Sequence, residues 1–385
     1  MKIGGIDLNE VVELFGTPAY VIDFDRVREN FLRLHNAIKC PHVIAYAYKA
    51  NYEPELVRML ANLGSGATVP SAFGVMLARW ARVPPDRTVL VGPSPSLEDL
   101  REAVSFGAII SVESASEARA IKKLGRANVM IRVNPGIEAG AHPSLATGKK
   151  GSKFGIPPRE ALEIYKSLKG EMRTLGFHVH IGSQILSAEP FKAALDILSD
   201  LAENAGGVDI IDLGGGIGIP YSSNENPFPL EEYAYIVCDY MNRLGTTLFL
   251  ETGRYIVADA GYLLTRVNYI KEMGDLKWVL VDAGMNDLIR PALYGARHEI
   301  ICDSNSEKEK YLVGGPVCES ADFFGEYELP KLREGDLIAF KNVGAYGFSM
   351  ASRYNLRPLP PVIAIEKGNF RLLRPREDFC KTVFG

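Results

Sequence analysis

Lys49 stands directly after Val43–Tyr48, a short apolar run rich in β-formers, and before a helix-like pattern that opens near Pro54. The run reads as a strand buried on both faces, which puts the lysine at its C-terminal end in a buried mouth. A buried amine with no counter-charge favours its neutral form, and a neutral amine attacks an aldehyde to form a Schiff base. A lysine that simply carries its stem off a strand end into water is the ordinary alternative.

A second strand-like run ends His178-Val179-His180-Ile181-Gly182-Ser183-Gln184. Period-two alternation sets His178 and His180 on one face, where an imidazole can stack on a flat ligand or serve the core as a hydrogen-bonding group. A metal pair is set aside, because no acidic third ligand accompanies the two histidines. A third run ends Asp212-Leu213-Gly214-Gly215-Gly216. Consecutive glycines let backbone N–H groups converge on an anion, although tight turns use them too. A fourth ends Glu251-Thr252-Gly253-Arg254, where the carboxylate can meet a protonated ring nitrogen or the guanidinium of Arg254. Pyridoxal phosphate needs this whole set: an amine for its aldehyde, a stacking group, an anion nest, and an acid that keeps its ring nitrogen protonated as an electron sink.

Strands must bring these groups together. Apolar runs recur at 43–48, 67–69, 88–91, 108–112, 129–133, 176–181, 210–213 and 247–251. Helix-period patterns separate them, at 55–63, 71–81, 97–105, 116–124, 159–168, 190–204 and 230–244. Strand–helix alternation of this kind predicts a (β/α)8, TIM-type barrel, a fold of about 250 residues with its reactive groups at the C-terminal strand ends. The loops after the seventh and eighth strands commonly hold phosphate in that fold. Beyond Gly261 the runs at 262–271, 278–282, 298–302, 311–314, 336–341, 361–366 and 370–374 have few helices between them, which predicts an all-β domain. An isolated strand at 19–23 is expected to join it. The expected domains are therefore a cofactor-binding barrel over 24–258, and a β-rich domain from 1–23 with 259–385.

The length of 385 residues suits this division, and a formal charge of −4 with scattered basic residues predicts no nucleic-acid or anionic-membrane partner. No apolar run approaches a membrane span, and acidic residues interrupt the first fifteen positions where a signal peptide needs an apolar core. Five cysteines (Cys40, Cys238, Cys302, Cys318 and Cys380) are irregularly spaced with no C-x-x-C. That argues against a disulfide framework or structural zinc and for a reducing cytoplasm.

The chain resembles the alanine-racemase-type barrel family of pyridoxal-phosphate-dependent decarboxylases. The likeness lies in Tyr48-Lys49-Ala50-Asn51, His178–Gln184, Gly214–Gly216, Glu251–Arg254, Met285–Tyr294, Gly315–Ser320 and Gly344–Met350, the last three being the more specific. The resemblance implies that Lys49 carries the cofactor, that His180 stacks on its ring and that Glu251 pairs with its nitrogen. Gly214, Gly215, Gly216, Thr252, Gly253 and Arg254 would surround the cofactor, with Ser183 as a phosphate or ring contact and Tyr346 closing over it. Arg254, Arg290, Tyr294, Glu319 and Tyr346 would touch substrate. Cys318 would reprotonate the reacting carbon, although an inert buried thiol is the usual fate of a free cysteine. The implied reaction is decarboxylation of meso-2,6-diaminopimelate to L-lysine, the last step of lysine biosynthesis, in a cytoplasmic homodimer with shared active sites. Decarboxylation of another basic or diamino acid, or a non-catalytic cofactor-binding relative, stays open.

Lys149–Gly155, basic and glycine-rich, reads as a lid over an acidic substrate or as a solvated loop, and the resemblance, which includes Ser152–Ile156, favours the lid. The family usually has Asp where Thr68 stands, Glu near Gly74, a smaller polar residue at Tyr52 and Pro at Thr252. Loss of an acid beside the cofactor lysine bears on rate and substrate more than on fold.

Overall fold

The structure, a computed structural model, describes residues 1–139, 147–303 and 306–385. It opens with the paired two-residue strands β1 (Lys2–Ile3) and β2 (Ile6–Asp7), the helix Leu8–Phe15, and β3 (Ala19–Asp23). The helix Phe24–Ala37 leads to eight parallel strands: β4 (His42–Ala47), β5 (Gly66–Val69), β6 (Thr88–Val91), β7 (Ile109–Val112), β8 (Asn128–Arg132), β9 (Arg173–His178), β10 (Ile210–Asp212) and β11 (Thr247–Leu250). They close into a barrel in the order β10-β11-β4-β5-β6-β7-β8-β9. Each strand is short and buried on both faces, and for that reason reads as a continuous apolar run rather than an alternation. One packed core cluster takes a residue from each of six strands: Val89, Ile109, Met130, Leu175, Ile210 and Phe249. The helices between strands fall on the expected spans. Ser96 and Asp99 form a reciprocal cap at the start of Leu97–Phe106, and Gly107 ends that helix in the left-handed conformation.

The remaining strands are β12 (Gly261–Met273), β13 (Leu276–Val281), β14 (Ile300–Cys302), β15 (Lys308–Gly314), β16 (Phe323–Pro330), β17 (Leu337–Phe340), β18 (Val362–Glu366) and β19 (Asn369–Arg374). They build a nine-stranded sheet with the path β16-β15-β13-β12-β3-β18-β19, and β17 pairs with both β12 and β14. The early strand β3 thus joins this sheet, antiparallel to β12 and parallel to β18. The helix Leu8–Phe15, which sequence reasoning did not foresee, packs Leu8, Val11 and Val12 against Ala19, Val21, Leu264 and Ile363.

The described chain forms two compact units: Met1–Asn30 with Pro220–Glu225 and Ile256–Gly385, and Phe31–Ile219 with Asn226–Tyr255. In the second unit Cys40 and Cys238, 198 positions apart in sequence, form a disulfide with Cα atoms 5.2 Å apart. Cysteine spacing gave no hint of this bridge, which stands alone rather than as part of a disulfide framework, the other three cysteines being free. A single bridge across such a separation leaves no local signature. Among the described residues, no helix is long and apolar enough to cross a membrane.

Candidate active site

Strand β4 ends at Ala47, and the chain turns so that Ala50 N–H donates to Ala47 C=O at 3.0 Å. Lys49 projects from this turn and is exposed, not buried as expected, because it lies beyond the strand on the open mouth of the barrel. The turn packs tightly on the one after β11. A Cβ on Gly253 would come within 2.8 Å of the Ala50 Cβ, so only glycine lets the two strand ends approach this closely. Thr68 is buried and its hydroxyl donates to Ala45 C=O at 3.2 Å, tying β5 to β4. It supplies no charge to Lys49. At Gly74 a Cβ would lie 2.7 Å from the Val69 Cβ, so the helix start is packed too closely for a glutamate at this backbone position. Tyr52, Phe73 and Lys49 share a separate apolar hollow of about 290 Å³.

His178 is the last residue of β9 and His180 lies two positions beyond it, and the two have different surroundings. His178 is fully buried, with Nδ1 2.6 Å from the Ser111 hydroxyl and Nε2 3.4 Å from Glu251 Oε2. His180 is partly exposed and lines a cavity of about 380 Å³ together with Lys49, Arg132, Thr147, Phe154 and Glu251. Gly215 N–H donates to His180 Nδ1 at 3.2 Å, which places the ring proton of the neutral imidazole on Nε2. Burial, Lys49, Arg132 and His178 all push the His180 pKa well below its ordinary value. Its ring is therefore a neutral flat surface at the mouth.

The turn after β10 is built for close approach. Gly214 has φ +67°, and a Cβ there would lie 2.3 Å from Val179 C=O. Ile185 N–H donates to Gly216 C=O at 2.9 Å and Gly218 N–H to Ile185 C=O at 2.9 Å, joining this turn to the one after β9. Gln184 strengthens the joint, its Oε1 accepting from Ile219 N–H at 3.3 Å. Arg254 is buried and donates to Ser183 Oγ at 3.0 Å.

Glu251 and Asp212 flank His178, and one ligand atom from each of the three lies within 4.8 Å of the others. The reason for setting metal aside, a missing acidic partner, is thereby overturned: the fold supplies two carboxylates that are distant in sequence. Their charge states differ. Burial and the Glu251 charge push the Asp212 carboxyl up to about 7. Burial also opposes ionisation of Glu251, but His178, Lys49 and Arg132 outweigh it and hold Glu251 below the usual carboxylate range. Glu251 Oε1 is buried with no hydrogen-bond partner among the described residues. An ionised carboxylate with one oxygen unsatisfied, on a cavity shared with an amine and a neutral imidazole, fits a protonated pyridine ring.

Sequence reasoning missed Arg132 and Glu113. They form a buried ion pair, and Arg132 lies 4.7 Å from the Phe154 ring centroid on the cavity wall. Glu113 Oε2 also accepts from Gly155 N–H at 2.9 Å. Asn134 Nδ2 reaches Lys149 C=O at 3.2 Å, Ser152 Oγ at 3.0 Å and Phe154 C=O at 2.8 Å. The Lys149–Gly155 stretch is thus anchored to the end of β8. The signal available in sequence was a charged residue directly after one apolar run, at Glu113, and another inside the next run, at Arg132.

The other foreseen residues belong to the β unit. Arg290 is buried at the start of the helix Arg290–Tyr294, and Tyr294 and Tyr346 are partly exposed, Tyr346 in the left-handed region at φ +59°. Cys318 and Glu319 are exposed, so Cys318 is not a buried thiol. Glu319 accepts from the Tyr354 hydroxyl, and Cys318 N–H donates to Asn355 Oδ1 at 3.1 Å. Asp322, unnoticed in sequence, staples two motif segments by accepting from Met285 N–H and Val317 N–H, each at 2.6 Å.

The pyridoxal-binding domain of the pyridoxal-dependent decarboxylases matches residues 24–258, the span that carries Lys49, His180 and Glu251. The chain belongs to that family. Within it the similarity runs the full length of diaminopimelate decarboxylases. The Aquifex aeolicus protein is 38% identical over 98% of this chain and 93% of its own. The Methanothermobacter thermautotrophicus protein is 40% identical over 100% of this chain and 95% of its own. The solved diaminopimelate decarboxylase of Helicobacter pylori, complexed with L-lysine, matches with TM-score 0.93 and 38% identity over 97% of this chain and 98% of that one.

Proposed function

We propose that this protein removes carbon dioxide from meso-2,6-diaminopimelate to leave L-lysine, with pyridoxal phosphate held at the barrel mouth. The observation that carries this reading is Glu251, buried and ionised with an unpartnered oxygen on the cavity that Lys49 and His180 line. Full-length similarity to diaminopimelate decarboxylases supports the choice of substrate. When bound, pyridoxal phosphate supplies an aldehyde for an amine and a pyridinium that accepts the electron pair left by departing carbon dioxide.

The chain's own residues do the rest. Lys49 would present its amine to the aldehyde, and Glu251 would hold a proton on the ring nitrogen. His180 would offer its neutral face to the ring, and Gly214–Gly216, Thr252, Gly253, Ser183 and Arg254 would hold the phosphate side. Arg290 binds the carboxylate that is retained, where a guanidinium offers two parallel hydrogen bonds. Glu319 attracts the ammonium beside that carboxylate, and Tyr294 and Tyr346 flank the substrate. Cys318 of the partner subunit gives a proton to the carbon that has lost carbon dioxide, so each site in a homodimer draws on both chains. Measuring carbon dioxide release from diaminopimelate, lysine, ornithine and arginine tests this. Preference for any of the last three overturns the substrate assignment.

A further inference from the structure

Two residues around Arg290 have no part in that reading. Arg290 Nη1 donates to the Tyr221 hydroxyl at 3.1 Å and to His298 Nε2 at 2.9 Å. The guanidinium also lies over the Tyr221 ring, 4.8 Å from its centroid, and the Tyr221 and His298 rings meet edge to face at 5.3 Å. Exposure is 5% for Arg290, 8% for Tyr221 and 0% for His298, so water does not substitute for these contacts. On the far side of the imidazole, Nδ1 lies 2.9 Å from Lys341 C=O.

A guanidinium only donates and a carbonyl only accepts. Both bonds of His298 therefore form in one state alone, with its proton on Nδ1 and Nε2 bare. A second proton would convert the acceptor into a donor aimed at a buried cation, and Arg290 would lose a partner it cannot replace with water. The charged residues flanking His298 in sequence are themselves engaged. Glu299 is occupied by Lys341 Nζ at 3.0 Å, and Arg297 lies over the ring of Tyr327, whose hydroxyl holds His298 C=O at 2.8 Å.

We propose that His298, with Tyr221, is the positioning residue that aims Arg290 at the retained carboxylate of the substrate, and that it acts only as the neutral Nδ1–H tautomer. Both N–H bonds of Nη1 are engaged, so the guanidinium plane cannot turn about its stem. The inference rests on the assignment of Arg290 to that carboxylate. It makes substrate recognition sensitive to acid through a residue that need not touch substrate.

L-lysine and cadaverine separate the two claims. Both carry two amines of the same spacing, but only lysine keeps the carboxylate that decarboxylation spares. Their competitive inhibition constants are measured on the holoenzyme, as wild type and as Arg290→Ala, His298→Leu, His298→Gln and Tyr221→Phe, from about pH 5 to 8 where histidine titrates. The lysine-to-cadaverine ratio within one variant is insensitive to lost cofactor or misfolded protein. In His298→Leu the buried guanidinium loses an acceptor, so lysine should weaken about tenfold or more while cadaverine stays within about twofold. His298→Gln, whose amide oxygen accepts and does not titrate, should restore lysine to within about threefold and remove the acid-side weakening expected of wild type. If Arg290→Ala leaves the ratio unchanged, the carboxylate assignment fails and the inference falls with it. If Arg290→Ala changes the ratio but His298→Leu does not, the positioning role alone is overturned. Should the leucine variant fail to fold, the wild-type profile and Tyr221→Phe decide. A ratio that is independent of pH and indifferent to the lost hydroxyl overturns the proposal.

Discussion

Asp212 and Glu251 lie in one buried cluster and yet are pushed in opposite directions. The imidazole of His178 approaches Glu251, while Asp212 faces the charge that Glu251 keeps. Two carboxylates and one imidazole in a low-dielectric interior separate their pKa values in this way. The consequence for stability has a definite sign. Asp212 titrates near 3.8 when unfolded and about 7 when folded. Below the lower value both states are protonated and Asp212 contributes nothing. Between the two values the unfolded chain gives up a proton that the folded chain keeps, so stability falls as pH rises, and above about 7 the loss is constant. Asp212→Asn keeps an acceptor for Gly214 N–H and removes the titration, so thermal melts should show a shallower decline across this window than wild type. Parallel curves for the two proteins would contradict the assignment. At this scale the sequence carried half of the cluster. Glu251 is legible because it closes an apolar run. Its relation to Asp212 and His178 is not, because each lies on a different strand and only the parallel pairing of β9, β10 and β11 in register makes them neighbours.

Elements show the same division. The barrel strands are legible because both faces are buried, which leaves runs such as Ile109–Val112 with no interruption. Phe323–Pro330 escaped notice because it is a one-sided strand. Phe324, Tyr327 and Leu329 are buried while Glu326 and Glu328 face water, and Gly325 and Pro330 dilute the alternation further. Lys149–Gly155 lay between two readings, and its chemistry favours neither. What decides its conformation is Asn134, outside the motif, whose amide satisfies two carbonyls and a hydroxyl in the loop. Asn134→Ala removes all of these bonds without touching the barrel core. Local opening should rise accordingly, and tryptic cleavage after Lys149, Lys150 and Lys153 should accelerate about tenfold or more, with global melting changed little. Unchanged cleavage rates would show that the Glu113 and Arg132 contacts hold the loop by themselves.

For the whole molecule, the division into two compact units gives the proposed shared site its sharpest test. Lys49 belongs to the barrel unit and Cys318 with Glu319 to the β unit, 269 positions further along the chain than Lys49 for Cys318 (318 minus 49). In the proposed dimer each site takes Lys49 from one chain and Cys318 with Glu319 from the other, and two-fold symmetry makes two such sites. Lys49→Ala chains are mixed with chains carrying Cys318→Ala and Glu319→Ala together, and the subunits are allowed to exchange. Random pairing makes about half of the dimers mixed, and a mixed dimer then contains one site with every group intact and one with none, so activity should recover to roughly a quarter of wild type. If all three groups came from a single chain, every site would keep a defect, and mixing would restore nothing. Recovery no greater than the sum of the two mutants alone, with exchange confirmed independently by mass, rules out the shared site and returns Cys318 to the chain that carries its own Lys49.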